Sequence, residues 1–377
     1  MKINLKKAIG KIHLWLGLSS GIIVFIIAVT GCLYAFQEEI QNITEEYRFV
    51  EKQDKPFLLP SQLEQIARKE IPDKALHAIK YNGSEKSAEA IFFHYEPSYY
   101  HIVYLNPYSG EVLEKANMDE GFFRFILDGH FYLWLPHEIG QVVVASATLV
   151  FLVMLISGLI LWYPRNKNAT KQRFKFNWKK GTKWKRKNYD LHNITGFYVF
   201  LIALIFAITG LVWGFQWFAY SYFTVLGGEK SLVYEDPISS KTKQTLEKPV
   251  DKVWVLMQKQ YPNAKSIEVH PPENDSTSIA ANANPEEGTY WKTDYRYFDQ
   301  YTLEEKEVNH IFGKYENAAI SDKLMRMNYD LHTGAVFGLT GKIFAFLISL
   351  LIASLPITGF YVWWGRKKKK AIKAEIN

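Results

Sequence analysis

Residues 13–37 read HLWLGLSSGIIVFIIAVTGCLYAFQ, and residues 192–216 read HNITGFYVFLIALIFAITGLVWGFQ. Neither stretch holds an Asp, Glu, Lys or Arg. Each exceeds the roughly 20 residues that carry a helix across a ~30 Å hydrocarbon core. Laid over each other at an offset of 179, without a gap, they match at His13/His192, Gly17/Gly196, Ala28/Ala207, Thr30-Gly31/Thr209-Gly210 and Phe36-Gln37/Phe215-Gln216.

Working outward, four segments carry almost no charge: Leu14–Phe36, Ile139–Tyr163, Ile194–Phe218 and Ile343–Trp364. The second and fourth repeat as well. An offset of 201 pairs Gly140 with Gly341, Gly158 with Gly359, Trp162 with Trp363 and Arg165 with Arg366. One inserted residue further up, Asp128-Gly-His130 pairs with Asp330-Leu-His332. The expected fold is a membrane α-helical bundle of four transmembrane helices. Its halves form a parallel two-fold repeat about an axis along the membrane normal, which puts matched residues at matched depth.

Charge sets the expected orientation. The tip Met1–Lys11, the loop Pro164–Asp190 and the tail Gly365–Asn377 hold 21 of the 45 Lys and Arg, and two acids, Asp190 and Glu375. Basic residues crowded into short segments place those segments in the cytoplasm. Both termini are then cytoplasmic and the chain is a multi-pass protein of a bacterial inner membrane. Its net +7 divides into +19 inside and −12 outside. The aromatics between the basic residues of 173–187 fit interfacial anchoring on anionic lipid head groups, so the partner of this loop is the bilayer and not nucleic acid. Met1–Cys32 has the outline of a secretory leader ending in Val29-Thr30-Gly31-Cys32. The apolar run continues to Phe36, however, and span three repeats the Thr-Gly without a cysteine, so the first span is expected to be retained.

The two outer regions repeat more weakly. Pro60–Met118 reads as a helix at Ser61–Lys69 followed by strands, and Val250–Val308 as a helix at Asp251–Gln260 followed by strands. Each is a small α+β module near the lower size limit for folding alone. The expected division is a first span with its tip (1–38), a first module (56–118), an outer-face helix with span two (122–164) and a basic loop (165–190). There follow span three (191–220), a second module (249–312), an outer-face helix with span four (322–365) and a basic tail (366–377).

Chemistry is narrowed by elimination. The single cysteine, Cys32, excludes a disulfide framework, a Cys-ligated zinc and a thiolate-bound iron–sulfur cluster. There is no G-x-G-x-x-G and no P-loop, which leaves no visible nucleotide site. Ten histidines remain. His77, His94, His101, His270 and His310 fall in the modules without metal-like spacing and read as surface or locally hydrogen-bonded rings. His13, His130, His137, His192 and His332 lie at the ends of apolar spans, where an ionisable side chain is a functional candidate. Under the repeat His13 faces His192 near the inner surface, and His130 faces His332 near the outer one. Two imidazoles opposed across a bundle fit bis-histidine haem b, one at each pair, better than zinc, which takes about four ligands. His137 has no repeat partner and is the alternative to His130. Gly17 and Gly196 read equally as room for a flat macrocycle or as close helix packing. Asp128, Asp190 and Asp330, each two residues before a histidine, read as helix N-caps.

Taken together, these features resemble the PepSY-associated transmembrane family: paired spans with a histidine near the first span's start, Thr-Gly near its far end and Gly-x-x-x-Trp closing the second. The ending Tyr104-Leu-Asn-Pro-Tyr-Ser-Gly-Glu-Val112 is similar to that of PepSY domains, from which Asp299-Gln-Tyr-Thr-Leu-Glu304 in the second module departs. The family includes ferric-siderophore reductases that carry haem. The resemblance therefore implies a haem-dependent oxidoreductase that passes electrons from a cytoplasmic donor to a periplasmic ferric siderophore or chelate. His13, His192, His130 and His332 are the positions that match haem ligands. The outer −12 requires a locally neutral or basic dock for an anionic chelate. The rival is a non-redox PepSY membrane protein that binds or regulates a protease, a cell-wall component or a partner protein.

Overall fold

The structure, a computed structural model, describes residues 5–164, 167–240 and 246–375. Arg165 and the stretch 241–245 of the second linker lie outside the described residues. The chain divides into two compact units, one of residues 1–36, 125–221 and 331–377, the other of 37–124 and 222–330.

The first unit holds four helices long and apolar enough to cross a membrane. Span one is Leu5–Tyr34 and span two His137–Trp162. Span three runs from Trp184 to Gly214, and span four from Ala335 to Arg366, largely within the helix Gly338–Glu375. Helical structure starts about ten residues before the uncharged stretch in spans one and three, because hydropathy marks where charge ends and not where the hydrogen-bond ladder begins. Spans one and three each pack on spans two and four. The interior is built from small residues, with Ala28, Ala203, Ala207 and Ala353 buried beside Val24, Leu155, Val199 and Ile352. Large apolar side chains point outward instead, Ile22 at 65% exposure and Leu201 at 62%. Small inside and large outside is the pattern of helices that pack in lipid, where backbone approach and not water exclusion drives association.

The second unit is one antiparallel sheet of eight strands in the order β4-β3-β2-β1-β5-β6-β7-β8. The strands are β1 Ala78–Tyr81, β2 Ala88–Tyr95, β3 Ser98–Leu105, β4 Val112–Asn117, β5 Ser266–His270, β6 Ile279–Asn284, β7 Asp294–Phe298 and β8 Glu305–Lys306. The two modules are thus joined edge to edge: β1 pairs with β5 in the register Ile79↔Val269, Lys80↔Glu268 and Tyr81↔Ile267. One core serves both. Leu63 and Ala67 of helix Pro60–Glu70 and Val253, Trp254 and Met257 of helix Pro249–Gln260 bury Ile79, Phe92, Val103, Val269, Ile279 and Phe298. Asp251 ties the two helices, accepting hydrogen bonds from Ser61 N at 2.8 Å and Ser61 Oγ at 2.7 Å. Sharing a core relieves the size problem of two 60-residue modules.

The turn that departs from the PepSY ending keeps its geometry. Gly110 N donates to Asn106 O at 2.9 Å, and Leu303 N donates to Asp299 O at the same distance. Leu303 takes the left-handed backbone (φ 61°) that Gly110 (φ 77°) occupies in the first module. The Asp299 carboxylate holds the turn, accepting from Tyr301 N at 3.0 Å, Thr302 N at 3.1 Å and Ser240 N at 2.6 Å. These bonds outweigh its burial and depress its pKa.

Candidate functional site: two histidine pairs in the bundle

The spans bring His13 and His192 together, with ring centroids 6.5 Å apart and planes 74° to each other. His130 and His332 meet likewise, at 6.1 Å and 69°. The one-residue slip in the repeat does not disturb this second pair.

Each ring is held by a hydroxyl through Nδ1. His13 Nδ1 lies 2.9 Å from Ser157 Oγ and His192 Nδ1 3.0 Å from Thr358 Oγ1. His332 Nδ1 lies 2.8 Å from Thr209 Oγ1, and His130 Nδ1 lies 3.3 Å from Thr30 Oγ1 and 2.8 Å from the Ile27 carbonyl. Among the described residues none of these four rings makes a hydrogen bond through Nε2. The residue after each hydroxyl is a glycine under the ring: a Cβ at Gly158 would stand 3.3 Å from His13 Cε1, at Gly359 3.1 Å from His192 Cε1, at Gly31 3.0 Å from His130 Cε1 and at Gly210 3.5 Å from His332 Cε1. A hydroxyl–glycine dipeptide on a neighbouring span therefore seats each histidine.

The elements that carry the histidines differ between the pairs. His13 sits in span one, whereas His192 sits in a five-residue π-turn, Leu191–Thr195, inside span three. Such a turn adds one residue to the helical ladder and re-aims a side chain, and π-turns are frequent at functional positions. His130 and His332 come from the short helices Phe122–Tyr132 and Asn328–Thr333. That second pair opens on a cavity of about 110 Å³ walled by Phe131, Ala145, Phe151, Phe206, Ala207 and Trp213. Thr30 is 17 residues beyond His13 on span one, and Thr209 is 17 beyond His192 on span three, so roughly 26 Å of helix separates the pairs.

His137 stands apart from both pairs. It is exposed at the start of span two, its ring 4.7 Å from that of Tyr132. The N-cap reading of the aspartates is corrected. Asp128 and Asp190 lie at or near the ends of helical segments that began one to two turns earlier. Asp190 accepts from Arg186 Nε at 2.9 Å and Trp178 Nε1 at 3.3 Å. Asp330 is buried and accepts from the backbone N–H of Tyr290 and Trp291, at 3.1 and 3.0 Å. Gly17 and Gly196 are packing positions: a Cβ there would touch Met154 at 3.0 Å and Leu355 at 3.8 Å. The glycines at the rings are Gly31, Gly158, Gly210 and Gly359, and with Ser157 and Thr358 they are the residues that sequence reasoning missed. Their signal was a Ser/Thr-Gly dipeptide in every span, although spans one, three and four each hold a second that meets no histidine.

In the sheet unit the histidines are locally bonded. His94 Nδ1 accepts from Glu96 N at 3.1 Å and His310 Nε2 meets the Glu235 carbonyl at 3.2 Å. His77 and His270 touch at the β1–β5 seam, centroids 4.8 Å apart. Burial, with His270 beside it, lowers the pKa of His77. Burial alone would raise Glu268, but the His270 ring at 3.2 Å and Lys80 outweigh it and hold that carboxyl down to about 2.

As chemistry, each bundle pair brings two imidazole rings, each held through Nδ1, to a centroid separation of 6.1–6.5 Å within the bundle. Among the described residues no group of three or more His, Cys, Asp or Glu gathers that could hold a metal ion unaided. The family model described as PepSY-associated TM region matches residues 11–366. No curated protein matches the chain.

Proposed function

The chain belongs to the PepSY-associated TM family, and from that premise we propose a di-haem membrane oxidoreductase that carries electrons from a cytoplasmic donor to a periplasmic ferric siderophore or related iron chelate. The observation that carries this reading is the spacing of the histidine pairs. An imidazole nitrogen binds a first-row metal at about 2 Å, so two rings on opposite sides of one metal put their centres roughly 6 Å apart. The observed 6.5 and 6.1 Å fit that requirement. Two imidazole donors per site, with a glycine beneath each ring, suit a group such as haem that needs only two ligands from the protein.

His13 with His192, and His130 with His332, would each hold one haem b. Bound there, haem supplies reversible one-electron chemistry. The protein's residues do the rest. The four histidines fix both positions along the bundle, and Phe151, Phe206 and the alanines of the interior keep water out between them. The parallel repeat makes the two halves contribute equally to each pair, and the basic segments orient the His13/His192 end toward the cytoplasm of a bacterial inner membrane. The outer modules, PepSY-like in sequence, would stand on the acceptor side.

The test is an absorption spectrum of the protein purified in detergent from a haem-replete host. A Soret band that shifts with dithionite, at about two haems per chain, is the expected result. A colourless preparation overturns the reading.

A further inference from the structure

Every span contains a hydroxyl–glycine dipeptide that meets one histidine: Thr30-Gly31, Ser157-Gly158, Thr209-Gly210 and Thr358-Gly359. The direction of those four hydrogen bonds can be worked out from what else each hydroxyl does. Thr30 Oγ1 donates to the Ile26 carbonyl at 2.8 Å and Thr209 Oγ1 to Ile205 at 2.7 Å. Thr358 Oγ1 donates to Ser354 at 2.9 Å and Ser157 Oγ to Met154 at 3.1 Å. A hydroxyl has one proton and two lone pairs. With its proton committed to its own helix, each hydroxyl can only accept from the ring. Nδ1 must then carry the hydrogen, and Nε2 is left bare. At His130 a second acceptor makes the same demand, since the Ile27 carbonyl at 2.8 Å has no proton to give.

We propose that Thr30, Ser157, Thr209 and Thr358 are positioning residues, which lock the four histidines as the Nδ1–H tautomer and turn each bare Nε2 toward the partner ring, while the following glycine lets the ring seat against the helix. This deepens the di-haem reading and rests on it only for the identity of what the Nε2 atoms bind. The partner of a ligand's other ring nitrogen sets ring orientation and donor strength, and its loss typically costs 10–100-fold in affinity.

The test uses the full chain in detergent, haem-free and haem-loaded, with 15N-labelled histidine. The haem-free wild type should show Nδ1–H and bare Nε2 at all four rings. Thr209→Val and Thr358→Val keep side-chain shape and delete the acceptor. Each should abolish the fixed tautomer at one ring, weaken haem at that pair roughly 10- to 100-fold, and shift its midpoint potential. Thr209→Ser and Thr358→Ser should restore all three. Thr30→Val should give the smallest loss, because the Ile27 carbonyl still accepts from His130; a merely structural role for these threonines would make Thr30 and Thr209 equally sensitive. Nε2–H tautomers in the wild type overturn the proposal, as do valine variants with unchanged tautomer, affinity and potential. If the wild type binds no haem, the functional reading fails, and the nitrogen spectra still decide the positioning claim.

Discussion

The two halves of the chain meet in two ways. In the sheet they meet at β1 and β5, through backbone hydrogen bonds, a common apolar core and the facing residues Lys80 and Glu268. In the bundle they meet at two histidine pairs whose Nε2 atoms have no hydrogen-bond partner among the described residues. One seam is held by a backbone ladder and packing, and the other brings imidazole rings together at matched points of the repeat.

The sharpest way to break this comparison is to remove one histidine. His192→Ala or His332→Ala should each take haem content from about two to about one per chain, read by pyridine haemochrome, with the other haem's spectrum intact. Losing both haems from a folded protein would mean that the pairs are not independent sites. The matching change in the sheet is Val269→Asp, which places an unpaired carboxylate at a fully buried position of the seam. It should destabilise that unit by about 3–5 kcal/mol, as other uncompensated buried charges do. Hydrogen exchange would show β1 and β5 losing protection together while the haem-to-chain ratio stays the same.

Smaller changes sharpen the contrast. Gly31→Ala puts a methyl 3.0 Å from His130 Cε1, tighter than atoms tolerate without a shift, whereas Gly210→Ala stands at an ordinary 3.5 Å from His332. Haem retention at this pair should drop clearly in the first and barely in the second, measured by transfer to apomyoglobin. The smallest expected effect is acid sensitivity of the sheet. His77, lowered from 6.5, binds its proton more readily unfolded than folded, and Glu268, lowered from 4.5 to about 2, does the same. Protonation therefore favours the unfolded state: the contribution of His77 is full above pH 6.5 and is lost below it, and that of Glu268 is lost between about 4.5 and 2. Exchange protection of β1 and β5 followed against pH would show the two steps, and His77→Gln should remove the upper one.

Much of this was legible in the chain. Four uncharged stretches and two offsets, 179 and 201, locate the spans and pair the histidines. The helices expected at Ser61–Lys69 and Asp251–Gln260 form at Pro60–Glu70 and Pro249–Gln260. The aspartates misled because Asn-Tyr-Asp-Leu-His looks like a helix start when read beside an apolar run, although the helix had already begun in charged sequence. The hydroxyls at Ser157 and Thr358 were hidden because the repeat compares span one with three and two with four. What they share, a Ser/Thr-Gly that meets a histidine, is blurred in the sequence by the second dipeptides Ser20-Gly21, Thr195-Gly196 and Thr340-Gly341. The β1–β5 seam left no trace at all, since edge pairing between strands some 190 residues apart imposes no spacing.

That seam also bears on how the protein is made. When a ribosome has completed β1 to β4 and spans two and three, β5 does not yet exist, and β1 waits as an open edge of the kind that recruits stray strands. A second nascent copy could offer its own β1, but Lys80, which already pairs with Glu89 of its own module at 3.6 Å, would then face another Lys80 across the new edge. Only the later half brings Glu268. The charge pair at the centre of the sheet thus favours closure within one chain over closure between two, guarding the interval in which half a protein is waiting for the rest.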